Sequence, residues 1–279
     1  MANIRLLAPN ALDSATLTDS PAMVATLPVA NLQDSARARV ARSVGLPAAQ
    51  YIRGDWSEST ACSGFVLWRH NLTGAATLRL KLWAGAGQTG TLLYDSGAVS
   101  IGDIIPYGEY VYGVDTYGAW LFQKWLVACT VLWFESVSAL SFELAVSDPA
   151  NTAGYIEAAR IYLGQYFEPQ TNISYGYKLR WEDESAQERT DGGSLRTDTR
   201  EPYRVFSINM SKLTEAERAA LSEIYRINGK SKDLFFTGHP EDTGTKGRDY
   251  SAAVKIIQMP DLTGDLPLNF NSELVLAEA

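Results

Sequence analysis

Over much of the first 169 residues, apolar side chains fall at every second position. Leu78, Leu80 and Leu82 stand against Thr77, Arg79 and Lys81, and Leu140, Phe142, Leu144 and Val146 repeat the arrangement. Successive side chains of an extended chain point to opposite faces, so this period predicts strands with one face buried and one wet. Phe65 to Trp68, Leu92 to Tyr94, Val127 to Phe134 and Ile156 to Leu163 are further strand candidates, many separated by Gly, Asn, Asp or Pro. A single sheet cannot cover both faces of the most apolar of them. Two packed sheets, a β-sandwich, are expected.

The period changes at one place. Ala220, Leu221, Ile224 and Ile227 recur at three and four residues, while Glu215, Arg218, Glu223 and Arg226 fall mainly outside that stripe. This spacing predicts an amphipathic helix over 214–228. Thr214 followed three positions later by Glu217 is a capping box, in which each side chain satisfies a backbone N–H left unpaired at the helix start. Asn228-Gly229 provides a left-handed exit, and Lys230 and Lys232 complement the negative helix end.

Charge density rises near residue 170: 14 of the 24 Lys and Arg and 18 of the 32 Asp and Glu lie beyond residue 169, in the shorter part of the chain. Glu168-Pro169-Gln170-Thr171-Asn172 has the polarity and proline of a connector. Two domains, 1–169 and 170–279, are therefore expected, with the first strand, Asn3 to Leu7, free to join the second. In that second domain Tyr175, Tyr177, Leu179 and Trp181 alternate with polar residues. The polar stretch Glu182 to Thr199 then reads as a long hairpin tip or a loop ordered against a partner. Strands at Tyr203 to Ile208, Asp233 to Phe236, Tyr250 to Met259 and Leu268 to Leu276 surround the helix. That order describes a mainly β domain, an antiparallel sheet or split barrel with one packed helix. A parallel nucleotide-binding fold would need repeated crossover helices.

The formal charge of −8 and the pI near 4.9 argue against a nucleic-acid binder, which concentrates Lys and Arg to neutralise phosphates. The local basic cluster Arg37, Arg39 and Arg42, near Asp34, reads as a solvated loop. No apolar run approaches the roughly 20 residues needed to span a bilayer, and the start MANIRLLAPN lacks the layout of a secretory signal. Cys62 and Cys129 form no metal or redox motif and are expected as buried free thiols.

Catalytic chemistry finds little support. His70 closes an apolar strand and His239 precedes a proline in a polar loop, so both read as structural. The Gly85 to Gly90 patch is a hairpin tip rather than a phosphate loop, and Glu241 to Asp249 does not match a calcium-binding EF-hand. No catalytic residue, cofactor or metal ligand is assigned. Aromatic residues carry more promise: Trp56, Tyr107, Tyr110 and Trp120 lie among glycines and acids, where rigid rings stack on sugars or anchor an interface. Packing in a core or at its rim is the commoner role of such rings.

Two sets of segments resemble minor tail and distal-tail proteins from the tail tip, or baseplate, of long-tailed bacteriophages. Leu27-Pro28-Val29-Ala30-Asn31-Leu32, Phe65-Val66-Leu67-Trp68-Arg69-His70-Asn71-Leu72, Leu78-Arg79-Leu80-Lys81-Leu82 and Gly154-Tyr155-Ile156-Glu157-Ala158-Ala159-Arg160-Ile161-Tyr162-Leu163-Gly164 look like the galactose-binding-like jelly-roll modules of such proteins, over roughly residues 25 to 168. Arg204-Val205-Phe206-Ser207-Ile208, Leu213-Thr214-Glu215-Ala216-Glu217-Arg218 and Lys232-Asp233-Leu234-Phe235-Phe236 are similar to the sheet-and-helix core of tail-tube and distal-tail proteins. The resemblance implies a non-enzymatic structural protein of the virion tail, assembled in the host cytoplasm. It would form a homo-oligomeric ring, a hexamer for preference and a trimer otherwise, between tail tube and hub. Tube, hub and tape-measure proteins would be its neighbours, and the jelly roll would project outward. A fold name of this kind carries no activity. Two other functions stand beside it. One is a carbohydrate-binding module for a host-surface glycan, stacking sugars on Trp56, Tyr107, Tyr110 or Trp120. The other is a glycan-degrading enzyme, for which no carboxylate pair stands out.

Overall fold

The alternation at Leu78, Leu80 and Leu82 carries into the fold: all three side chains are fully buried, while Thr77 and Arg79 are exposed. The structure, a computed structural model, describes residues 3–102, 108, 111–114, 121–122, 127–174, 176–266 and 269–279. It is mainly β, and the chain divides into two compact units, Met1–Glu168 with Leu234–Ser251, and Pro169–Asp233 with Ala252–Ala279. The chain thus passes between units at three places, whereas one joint after residue 169 was expected. The return over 234–251 follows from Leu234, Phe235 and Phe236, all buried. The Phe235 ring packs among Trp68, Trp133 and Tyr162 of the first unit.

In chain order the strands are β1 (Arg5–Leu7), β2 (Thr16–Ser20), β3 (Ala41–Arg42), β4 (Gln50–His70), β5 (Thr77–Gly85), β6 (Thr89–Asp95), β7 (Val99–Ser100), β8 (Cys129–Ser147), β9 (Glu157–Gly164) and β10 (Tyr166–Phe167). There follow β11 (Lys178–Glu182), β12 (Ala186–Arg189), β13 (Leu195–Asp198), β14 (Tyr203–Leu213), helix α1 (Glu215–Asn228), β15 (Leu234–Thr237), the short helix α2 (Thr245–Asp249), β16 (Ser251–Gln258), β17 (Leu262–Leu266) and β18 (Asn269–Glu278).

The first unit is organised by β4 and β8. Ile52 of β4 pairs with Leu144 near the end of β8, and Phe65 pairs with Leu132 near its start. Register shifts between Asp55 and Thr60 and between Cys62 and Gly64 interrupt the ladder. Bulges bend and twist strands, so the two long strands run from one layer of the sandwich into the other. β2, β5 and β6 extend one layer, and β9 and β3 the other. Ile52, Trp56, Phe65, Leu67, Leu80, Phe142, Leu144 and Ile161 belong to the core between them. Phe65 to Trp68 lies near the end of β4, a strand as expected. One expectation is corrected here: Val127 to Phe134 and Leu140 to Val146, expected as separate strands, belong to one, since Cys129 to Phe134 and Leu140 to Val146 are both parts of β8. The pattern misleads at the bend because Glu135, Ser136 and Ser138 are exposed there.

Outside the second layer, β1 pairs with β10 on one side and with β15 on the other. Gly64 permits this approach: a Cβ there would sit 2.5 Å from the Trp133 ring and 3.1 Å from Leu7. Arg5 lies over the rings of Trp133 and Tyr166, at 5.1 and 4.5 Å, and bonds Glu168 at 2.7 Å.

In the second unit, β16 pairs with β18, β18 with β14, and β14 with β11, while β17 pairs along the first part of β18. Phe206, Ile208, Met210, Leu274 and Leu276 are buried. From α1, Leu221, Ile224 and Tyr225 are buried, and the Tyr225 hydroxyl is 3.1 Å from that of Ser272 on β18. The capping box is formed: the Glu217 N–H donates to Thr214 Oγ1, and Glu217 accepts from the Thr214 N–H at 2.6 Å. Gly229, at φ +52°, closes the helix. Arg204, 1 % exposed, donates to both carboxylate oxygens of Glu278 at 2.8 and 2.9 Å, tying β14 to the end of β18.

Candidate docking surface

β11 is the last strand on its side of the second unit's sheet, with β14 as its partner. It places Trp181 with 55 % of its surface exposed, and Tyr177 just before it is 37 % exposed. An edge strand offers unpaired backbone groups, and exposed Trp and Tyr are the residue types that anchor interfaces.

The stretch expected as a hairpin tip or partner-ordered loop is a hairpin of its own. β12 and β13 pair in register, Glu188 opposite Arg196 and Arg189 opposite Leu195, and form a separate two-stranded sheet. Every residue of both strands is exposed, including Leu195 at 54 %. The turn is held by Thr190 N–H to Ser194 O at 2.9 Å and Gly193 N–H to Thr190 O at 2.8 Å, with Gly193 at φ +83°. At the base, the Arg200 N–H donates to Ser185 Oγ at 2.8 Å and the Ser185 N–H to Asp183 at 2.8 Å. These hydrogen bonds, first from the Ser185 side chain and then from its amide, hold the Asp183 carboxyl below its ordinary range. Tyr203 donates to Glu184 at 2.9 Å and to Glu182 at 3.0 Å; the two carboxylates push its phenol up to about 12.

A two-stranded hairpin in water is at best marginally stable, because neither face is removed from solvent. Its charges are of both signs, with Glu188, Asp191 and Asp198 set among Arg189, Arg196 and Arg200. Such a surface complements another of the same pattern better than one of a single sign.

The residues singled out from the sequence fall elsewhere. Trp56 is 4 % exposed, its ring 5.3 Å from Phe142 and its indole N–H donated to Ala11 O at 2.8 Å. It is a core residue, which corrects its assignment as a stacking platform. The signal was present in the chain, since Gln50, Ile52, Gly54 and Trp56 alternate inward with Tyr51, Arg53 and Asp55 facing the other way. Tyr107, Tyr110 and Trp120 lie outside the described residues. Tyr112, of the same aromatic segment, is 94 % exposed.

His70 closes β4 as expected. Its Nδ1 accepts the Leu72 N–H at 3.3 Å, so Nε2 carries the proton and faces Thr130 Oγ1 at 3.0 Å. Burial lowers its pKa to about 3, which leaves the ring neutral and enclosed. His239 packs edge-on against Tyr250 at 5.2 Å. Burial pushes the Cys62 thiol up to about 12, and Cys129 is half-buried. Arg39 approaches Asp34 at 3.7 Å, whereas Arg42 bonds Glu157 and lies over Tyr155. Among the described residues no three His, Cys, Asp or Glu side chains group as a metal site.

No protein-family model matches the chain, and no curated protein does. Solved structures that match include chitosan-binding module 1 of a chitosanase/glucanase from Paenibacillus sp. IK-5, at 11% identity and TM-score 0.38, covering 55% of this chain and 96% of that one. The family 32 CBM from C. perfringens NanJ in complex with galactose matches at 11% identity and TM-score 0.38, covering 59% and 99%. A GH29 fucosidase from Ruminococcus gnavus matches at 13% identity and TM-score 0.38; the match covers 56% of this chain and 26% of the fucosidase.

Proposed function

We propose that this chain is a non-catalytic structural protein that assembles with further copies of itself through the β11 edge and the β12–β13 hairpin. The observation that carries the reading is the hairpin, exposed on both faces and lacking a buried face of its own. Docking against a second copy removes Leu195 and Trp181 from water and sets charges of opposite sign together. A closed ring follows when each copy offers the hairpin to the next. In the setting implied by the sequence resemblance, that ring is a hexamer, or a trimer, at the distal end of a phage tail, between tube and hub, and the sandwich unit faces outward.

Light scattering on the whole chain up to millimolar concentration tests this. The native chain is expected to exceed the monomer mass, and Trp181→Ser, or a short Gly-Ser linker in place of residues 186–198, to return it to the monomer. A native chain that stays monomeric throughout, or variants that associate as the native chain does, would refute the proposal.

A second reading makes the sandwich unit a carbohydrate-binding module for a host-surface glycan. Tyr112 favours it, since a ring exposed at 94 % presents its faces to a sugar. Glycan-array binding that disappears in Tyr112→Ala, with the fold intact, supports it; an array without signal removes it.

A further inference from the structure

The second unit holds a polar hollow of about 330 Å³ that takes no part in the docking surface. It lies where β17 and the turn before it meet β14 and β18, and is lined by Asn209, Gln258, Asp261, Thr263, Asn271 and Glu273. On β18, Ser272 and Leu274 are buried beside the helix side of the sheet, so Asn271 and Glu273 face the opposite way. Among the described residues, only Asn271 of these six commits its side chain elsewhere, accepting the Lys212 N–H at 3.2 Å. The other five keep their side-chain amide, hydroxyl and carboxylate groups available. Met259, 41 % exposed, adds an apolar wall beside them.

This lining has a chemical signature. Amides both donate and accept, and carboxylates accept from paired hydroxyls, so the set matches a ligand with many hydroxyl groups around a weakly apolar ring. Asp261 and Glu273 are the charged residues of the lining and both are acidic, which excludes phosphates, sulfates and acid sugars by repulsion. The volume is at the small end of ligand sites, which run from about 300 to 1,000 Å³. We propose that the hollow binds a neutral or amino saccharide of one or two rings. The proposal is independent of the assembly reading and concerns a different unit from the one that carries Tyr112.

Saturation-transfer NMR on the whole chain with glucose, galactose, N-acetylglucosamine, glucosamine and glucuronate tests it. Transfer is expected to the neutral and amino sugars and not to glucuronate. Asn209→Ala with Glu273→Ala, both exposed positions, should weaken binding at least tenfold at unchanged melting temperature. Glu273→Lys with Asp261→Lys should invert the preference toward glucuronate. No transfer from any sugar at high millimolar concentration would overturn the proposal. So would transfer that survives the Asn209/Glu273 variant, whether or not Tyr112→Ala abolishes it.

Discussion

Acidification offers a test of the first unit that runs through one side chain. His70 ends β4 with 8 % of its surface exposed, its Nδ1 taking the Leu72 N–H. A proton added at Nδ1 would break that hydrogen bond and place a charge in the apolar interior. The folded chain therefore refuses the proton until about pH 3, while the unfolded chain accepts it near the ordinary value of 6.5. Stability is intact above pH 6.5 and falls as the pH drops from there toward 3, because the unfolded state binds more protons across that window. At full slope the loss is about 1.4 kcal/mol per pH unit. Allowing for partial titration, the fall from pH 7 to pH 5.5 comes to about 1.3 kcal/mol. At a urea dependence of about 2 kcal/mol per molar, this moves the midpoint by about 0.6 M. Asp95, held at about 2 chiefly by its hydrogen bond from Arg79, titrates well below the window. Six of the seven tryptophans lie between residues 56 and 133, so tryptophan fluorescence follows this unit. His70→Gln keeps an amide beside Thr130 but cannot titrate, and should abolish most of the shift. A native midpoint equal at the two pH values, or a His70→Gln variant that shifts as far as the native chain, would refute the reasoning.

Four further outcomes are expected. Glu278→Ala strands the buried Arg204 guanidinium and should cost about 3–5 kcal/mol in urea unfolding, while Arg204→Met with Glu278→Leu together should recover most of that loss; equal losses in the single and double variants would contradict it. Trp56→Ala should destabilise the first unit by about 3–5 kcal/mol in urea unfolding, the mark of a core residue; a change below about 1 kcal/mol would be at odds with its burial. Thr214→Ala removes one half of the capping box and should cost about 1 kcal/mol, read from urea unfolding followed by helical circular dichroism at 222 nm. The Cys62 thiol, pushed up by burial, should resist Ellman's reagent in the folded protein and react on unfolding; rapid modification of Cys62 in the native state, located by mass spectrometry, would show that it is accessible.

The parts of this fold that could be read from the chain are those whose cause is local. A half-buried strand imposes its period on neighbouring residues, and Leu78 to Leu82 shows it; a helix start needs its unpaired N–H groups answered within one turn, and Thr214 with Glu217 shows that. The close pairing of β4 with β8 has a distant cause. Gly54 stands where the ring of Phe142 leaves no room for a Cβ, and nothing near residue 54 in the sequence announces that ring. The return of Leu234–Thr237 to the first unit is similar, since its apolar run fits any interior and the choice is made by Trp68, Trp133 and Tyr162, more than 70 residues earlier. The hairpin is the converse. Residues 186–198 are polar enough to be read as solvated loop, and composition cannot separate a loop that solvent suffices to satisfy from a strand pair awaiting a surface. The structure shows regular pairing there. A flexible loop gains nothing from ordered register, whereas Glu188 opposite Arg196 and Arg189 opposite Leu195 fix a repeated pattern of charge and apolar contact. Order without burial costs conformational entropy that the hairpin itself does not offset. The assembly proposed above supplies that compensation from a second copy, with the exposed Trp181 and Tyr177, on the adjoining edge strand and just before it, as its anchors.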